Sequence, residues 1–338
     1  MSKNDHENRS SLMAGSGLAT VIRYPRYKAL REQIDDCILT TTTMGEPQCM
    51  SIEGPPGAGK TTLIKDVLSD YREGTSAAGL KLNTLYVPTP DNTVLNALIS
   101  ECLNSLGDPA AYKIARKWEG KARLRKYLKE LPIRLLCFDD FQHVLRAGDA
   151  TIGSISEWLK TLIKDTGICA IVVGIQGGVE PVLEANEQLS RLFAARETLT
   201  PFVWNADDSN TIREFALLIH YIEQSLNMPI DDQGCRLELL GRLCYATNGV
   251  IGNLMNLLRL ANHLANKTGQ DQITTATLSL AFQTRLEKHL KSKSNPFLQP
   301  LAEAFVFEEF PVDRANATGN RIHGGKPRPR SASDVLST

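Results

Sequence analysis

Apolar and polar positions along this chain change rhythm three times. After a polar start, short runs of bulky apolar residues at 48–53, 82–87, 133–140, 168–175 and 198–204 alternate with longer stretches where apolar residues recur every three to four positions. Consecutive apolar positions fit strands covered on both faces, and the 3.6-residue rhythm between them fits helices packed over a parallel sheet. Helices are expected over 27–39, from Thr61 onward, and over 94–106, 110–130, 152–165 and 179–195. Pro88-Thr-Pro-Asp-Asn-Thr opens the third of these and Gly107-Asp-Pro stops it. From Asp207 only the helical rhythm remains, over 208–226, 232–246, 250–267 and 274–290. The expected organisation is an unstructured N-terminus (1–18), an α/β unit (19–206), a small all-helical unit (207–290) and a Pro/Gly/Ser/basic tail (291–338).

Composition narrows the classes. The chain has 338 residues and a formal net charge of zero, so any contact with nucleic acid has to come from a local patch. Its seven cysteines form no C-x-x-C pair and no metal-ligand spacing, which fits a reducing compartment. The N-terminus is polar, unlike a signal peptide, and the longest apolar run, 168–175, is far too short to span a bilayer. A soluble, cytoplasmic protein without membrane contact is expected.

The candidate chemistry starts between the first apolar run and the helix from Thr61. Gly54-Pro-Pro-Gly-Ala-Gly-Lys-Thr-Thr62 matches the phosphate loop G-x-x-x-x-G-K-[ST], the Walker A pattern. Gly54, Gly57 and Gly59 permit torsions closed to other residues, so successive N–H groups, including that of Ala58, can turn inward on phosphate oxygens. Lys60 places a point charge on the β/γ-phosphates, and the Thr61 hydroxyl is a natural Mg²⁺ ligand. Thr62 carries the chain into a helix whose positive dipole end faces the triphosphate. Strand, loop and helix follow in the required order, so ATP with Mg²⁺ is the expected ligand. Upstream, Ile22 and Tyr24 stand where a preceding segment commonly borders the adenine; simple packing accounts for them equally well.

The run 133–140, Ile-Arg-Leu-Leu-Cys-Phe-Asp-Asp, has the Walker B form. Asp139 would hold Mg²⁺ through its shell. Asp140 takes the place usually given to a Glu that polarises the attacking water, with roughly 1.5 Å less reach. Adjacent strand residues point to opposite faces, so the two aspartates do not chelate one ion as a nuclease pair would. His143 has no second His or Cys at ligand spacing, which argues against zinc, and no G-x-S-x-G elbow occurs. Over 110–130, Ile114, Trp118, Leu124 and Leu128 are expected to share an apolar face. Lys113, Lys117, Lys121 and Arg125 recur four apart, and Arg116, Arg123 and Lys126 widen the basic side. This is either a solvated helix face or a surface for the DNA backbone, which needs Lys and Arg rather than base readers. In the tail, the apolar-acidic stretch 301–310 reads either as a docking peptide or as one more helix packed on the helical unit.

These features together resemble the plan of an AAA+ ATPase, and more closely the TnsC/TniB family of transposon-encoded target-selection ATPases. The resemblance covers 20–288. It is carried by the Walker A segment, Tyr86-Val-Pro-Thr-Pro-Asp-Asn-Thr, Leu106-Gly-Asp-Pro, Leu135-Leu-Cys-Phe-Asp-Asp-Phe-Gln-His-Val-Leu, Val172-Val-Gly-Ile-Gln, Leu189-Ser-Arg-Leu-Phe and Thr247-Asn-Gly-Val-Ile-Gly-Asn-Leu. It implies an α/β P-loop core, with a five-stranded parallel sheet between helices, followed by a small all-α lid. It implies an arginine finger at Arg191, with Arg196 as second candidate, reaching the γ-phosphate held by a neighbouring subunit. Gln176 falls near the sensor 1 position. No Arg occurs in 249–253, where many AAA+ proteins carry a sensor 2 residue. With Asp140 in place of Glu, this fits a slow, switch-like ATPase. The resemblance further implies a homo-oligomer, ring or helical filament, on double-stranded DNA with ATP bound. Its partners would be a TniQ-type targeting protein and transposase subunits, the tail after Ser292 docking the latter. An AAA+ replication initiator or helicase loader, and a P-loop regulatory switch without DNA, are the alternatives.

Overall fold

Five parallel strands form one sheet in the order β2-β3-β4-β1-β5. The computed structural model describes residues 21–73, 83–91, 93–114, 117–205, 208–290 and 294–298. In chain order the elements run α1 (Pro25–Met44), β1 (Met50–Glu53), α2 (Lys60–Glu73), β2 (Asn83–Pro88), α3 (Leu95–Ser105), α4 (Lys117–Glu130) and β3 (Ile133–Asp139). A 3₁₀ turn (Phe141–Ala147) leads to α5 (Asp149–Thr166), β4 (Cys169–Gly174), α6 (Glu180–Glu184), α7 (Glu187–Leu192) and β5 (Ala195–Thr198). Four helices follow: α8 (Ser209–Leu226), α9 (Arg236–Thr247), α10 (Ile251–Lys267) and α11 (Thr275–Arg285).

The period-2 alternation of strand side chains divides the core in two. Met50, Ile52, Leu135, Cys137, Ile171 and Val173 face α1, α2 and the C-terminal helices. Leu136, Phe138, Ala170 and Val172 face α3, α4 and α5. β4 is buried along its whole length, which its unbroken apolar sequence requires. Residues 1–18 and the 301–310 patch lie outside the described residues, but 294–298 of the expected tail is described and packs on the helical unit. Phe297 is buried against Phe282 of α11, and Arg242 of α9 donates to the Pro296 carbonyl at 2.9 Å.

Three sequence expectations are corrected. The last strand is Ala195–Thr198, paired with β1 from Met50↔Ala195 to Glu53↔Thr198, and not 198–204. As an edge strand it is half exposed in alternation, so its polar sequence carries little strand signal. The apolar run beyond it contains Pro201, which cannot donate to a ladder; Phe202 and Trp204 instead bury themselves against Phe215 of α8. The stretch 179–195 is two short helices, the second capped by Asn186, whose side chain accepts from the Gln188 and Leu189 N–H groups. Trp118 is exposed, whereas Leu124 and Leu128 are buried. At about 100° per residue, Trp118 stands roughly 240° round α4 from Leu124, and it shares a side with Lys121 and Arg125 instead.

Candidate nucleotide site

The loop joining β1 to α2 turns through Gly57 (φ 79°) and Gly59 (φ 95°), both in the left-handed region where a side chain is strained. The Lys60 ammonium donates to the Gly54 and Pro55 carbonyls at 2.8 and 2.9 Å, so this buried lysine head lies over the loop itself. Burial lowers its pKa, opposed by the charges of Asp139, Asp140 and Glu53. The Thr61 hydroxyl donates to Asp139 Oδ2 at 2.8 Å, and Tyr86, from β2, donates to the same oxygen at 2.8 Å. Burial and that bond to Asp139 both raise the Tyr86 pKa, keeping it a donor. A buried carboxylate beside a hydroxyl is a hard oxygen donor set of the kind Mg²⁺ takes, so Thr61 and Asp139 fit that ion.

A cavity of about 550 Å³ opens over this loop. Its polar side carries Lys60, Thr61, Thr62, Asp140 and Gln142; its apolar side carries Ile22, Tyr24, Leu199 and Met255. The two upstream candidates, Ile22 and Tyr24, are thus both buried and at the cavity wall. Burial pushes the Tyr24 hydroxyl up to about 12, so it stays neutral. That wall is fixed from behind. Asp66 of α2 pairs with Arg23 at 2.7 Å and with Arg31 at 2.6 Å, and accepts from the Tyr27 hydroxyl at 2.7 Å. Burial works to raise the Asp66 pKa, but these partners outweigh it and hold the carboxyl below its ordinary value.

The C-terminal helices close the other side. Gly249, at φ 63°, passes so near Phe202 that an added Cβ would stand 1.8 Å from its carbonyl oxygen. This close approach lets Gly252 N–H donate to the Gly57 carbonyl at 2.9 Å. From there α10 presents Ile251, Met255 and Arg259 to the cavity, four residues apart on one face. Arg259 has no ion-pair partner among the described residues. A reading confined to 249–253 misses it, because the cation enters two turns further along the helix.

Carboxylates and amides hold the floor behind the phosphate loop. Asp140, the first residue after β3, has φ 54°, a left-handed conformation in a residue that is not glycine. Gln142 Nε2 donates to Asp140 Oδ1 at 3.0 Å, while its Oε1 accepts from Ile175 N–H at 3.2 Å. Glu53, at the end of β1, accepts from the N–H groups of Gly177, Val179 and Glu180 at 2.9, 2.7 and 3.1 Å. Gln176 lies between these two anchors but is exposed, and it is not among the residues lining the cavity. Tyr86 and Gln142 lie in segments that carry the family resemblance, but the resemblance gives neither a role; Glu53 is marked only by its position at the end of β1.

Arg191 and Arg196 lie away from the cavity of their own chain. Arg191 is exposed on α7 and pairs with Glu187 at 2.9 Å, one helical turn back. Arg196 is held more firmly, by Glu180 at 3.2 Å, Glu184 at 3.4 Å and the Ser190 hydroxyl at 2.7 Å. On the basic helix, Arg116 and the Lys117 side chain fall outside the described residues. Arg123 faces the buried Asp108 at 3.2 Å and donates to the Ala110 carbonyl at 3.1 Å. Arg125 pairs with Asp165 of α5 at 2.9 Å, and Lys126 lies 3.8 Å from Glu130. Lys113 and Lys121 are exposed and have no ion-pair partner among the described residues. No described helix is long and apolar enough to cross a membrane.

The strand order, the phosphate loop after β1, the aspartate ending β3 and the helical lid define a P-loop ATPase fold of the AAA+ class. Solved structures agree on the fold. Cdc6p from Pyrobaculum aerophilum is 17% identical with a TM-score of 0.58, covering 82% of this chain and 73% of that one. The ORC2 protein of Aeropyrum pernix, solved as ADPNP-ADP complexes, is 17% identical with a TM-score of 0.56, over 82% and 72% of the two chains. The ORC1 protein of Aeropyrum pernix, solved in complex with DNA, is 16% identical with a TM-score of 0.55, over 78% and 66%. No curated protein matches the chain. Residues 18–202 match the family described as Bacterial TniB protein, and the chain belongs to that family.

Proposed function

We propose that this protein is an ATP-dependent regulator of DNA transposition that assembles on double-stranded DNA when ATP is bound. The observation that carries this reading is the built phosphate loop, with Lys60 buried over it and Thr61 joined to Asp139, in a chain of the TniB family. Gly54–Thr62 and Lys60 bind the triphosphate, Ile22 and Tyr24 border the base, and Arg259 approaches from the lid. Mg²⁺, held by Thr61 and Asp139, would neutralise charge on the phosphate oxygens. Asp140 orients the attacking water. Arg191 of a neighbouring copy completes the site: its single helical partner leaves it freer to reach across than Arg196. This makes hydrolysis depend on assembly, so nucleotide state reports oligomer state.

DNA is held along its backbone by Lys113, Lys121 and Lys126 with their neighbours Arg116 and Lys117, one patch per subunit along the duplex. Arg123 belongs to the fold rather than to this surface, given its buried partner Asp108. A TniQ-type protein supplies the target and transposase subunits are recruited, the tail after Ser292 being the docking element. The test is anisotropy of a labelled duplex with and without ATP, in the wild type and Lys60→Ala, followed by capture of transposase subunits by the full chain and by a chain ending at Pro300, which keeps the buried Phe297. ATP-dependent duplex binding, lost in Lys60→Ala, with transposase capture that needs the tail, is the expected result. Duplex binding indifferent to nucleotide would remove the ATP gate. Capture of a replicative helicase in place of transposase would favour the loader reading.

A further inference from the structure

The arrangement around Asp140 rests on one side chain that no motif singles out. Asp140 reaches roughly 1.5 Å less far than the Glu usual at this place, so its direction matters more. It sits on a left-handed backbone at φ 54°, just beyond the strand, and its side chain is exposed at the cavity edge. Nothing in β3 itself fixes where that carboxylate points. Gln142 does. Its Oε1 accepts from Ile175 N–H at 3.2 Å, and its Nε2 donates to Asp140 Oδ1 at 3.0 Å. The orientation of the amide is not arbitrary: a backbone N–H can only donate, so the oxygen must face Ile175, which leaves the NH₂ for the carboxylate.

The surroundings keep Gln142 in that pose. A Cβ on Gly178 would lie 2.6 Å from Gln142 Cβ, and a Cβ on Gly174 would lie 3.1 Å from Gln142 Oε1. The loop carrying Ile175 is in turn pinned by the three N–H bonds to Glu53 at the end of β1. The chain of contacts therefore runs from β1 through the loop after β4 to Asp140. It occupies the place the resemblance assigns to Gln176, which is exposed and does not line the cavity.

We infer that Gln142 is the positioning residue for Asp140 and takes over the polar role between the β4 loop and the site of water attack. This rests on the ATPase reading above. In the step it serves, Asp140 accepts a proton from water as the new P–O bond forms and the bond from the γ-phosphorus to the bridging oxygen breaks. ADP leaves, and the proton passes to solvent.

The experiment is steady-state ATP hydrolysis with a parallel affinity measurement, using a fluorescent ATP analogue, on the full chain with duplex present. The variants are Gln142→Glu, Gln142→Ala, Asp140→Ala and Lys60→Ala. Gln142→Glu is isosteric and still accepts from Ile175, but it sets a carboxylate against Asp140. Both Gln142 variants should lose about tenfold to a hundredfold in kcat, the scale of a misplaced base, with KM and analogue affinity within about twofold of wild type. Asp140→Ala should lose at least as much, and Gln142→Ala should add little to it in the double variant. Gln142→Ala may be checked for folding by its thermal transition, and Gln142→Glu carries the test if it is unstable. Unchanged or increased kcat in the Gln142 variants, in an enzyme whose turnover Lys60→Ala abolishes, would overturn the inference and leave the ATPase reading standing. A parallel loss of analogue affinity would reassign Gln142 to nucleotide binding and overturn it as well. Wild-type turnover no greater than that of Lys60→Ala would overturn both.

Discussion

Around the phosphate loop, Lys60, Asp139 and Glu53 are each held by another element of the fold; along the basic stretch 113–126, most cations meet a single carboxylate or water. Lys60 of α2 is aimed by carbonyls of the preceding loop, Asp139 of β3 by hydroxyls from α2 and β2, and Glu53 of β1 by the loop after β4. Arg125 and Lys126 instead pair at the surface, with Asp165 and Glu130. Lys113 and Lys121 pair with nothing among the described residues. The difference separates two kinds of site. A cavity whose charges are fixed from several elements has one geometry and one class of ligand. A basic helix face offers charge without geometry, which suits a partner recognised by charge alone, such as a phosphate backbone.

The contrast predicts effects of very different size. Lys60→Ala removes the cation buried over the phosphate loop and should weaken ATP-analogue binding about a hundredfold, near 3 kcal/mol, by fluorescence titration. Asp66→Asn should cost about 3 kcal/mol of stability, because it leaves Arg23 and Arg31 without their shared carboxylate. The pH dependence carries a sign. The folded Asp66 pKa lies below the ordinary 3.8, so its contribution is complete at neutral pH and is lost as the pH falls below that value towards the folded pKa. The gap in denaturation midpoint between wild type and Asp66→Asn should therefore narrow on acidification below about pH 4.

Arg259→Ala should weaken nucleotide binding or turnover about tenfold, the scale of one exposed cation at a phosphate. Equal values in both proteins would mean that the lid supplies only shape. Smallest are the α4 variants. Lys121→Ala should weaken duplex binding by a few-fold and flatten its salt dependence by about one unit of slope per contact, without changing stability. Arg123→Ala should do the reverse, lowering the thermal midpoint through Asp108 while leaving the salt slope alone.

How far all this is written in the sequence also follows the comparison. Gly54–Thr62 and Asp139 are legible because phosphate and metal chemistry fix residue type and spacing together. The three inner strands, β3, β4 and β1, are legible because burial on both faces forces apolar runs. Where residue type is free, the sequence is silent. Ala195–Thr198 is an edge strand with polar residues, and the apolar run beside it draws the eye to 198–204. Gln142 and Tyr86 fall in segments that carry the resemblance, but their contacts exist only because β3, β2 and the β4 loop meet there, so their roles are not legible. The apolar residues of 110–130 group Trp118 with the core residues of α4, but its angle round the helix sets it beside Lys121 and Arg125.

The central claim is that nucleotide held in the Gly54–Thr62 cavity gates assembly on DNA. Negative-stain imaging of the purified protein with duplex DNA, with no nucleotide, with ATP and with a slowly hydrolysed analogue, tests it most directly, Lys60→Ala serving as control. Rings or filaments on DNA that require nucleotide and vanish in Lys60→Ala are the predicted result. Particles that remain monomeric with saturating nucleotide and duplex, or assemblies identical in Lys60→Ala, would contradict it.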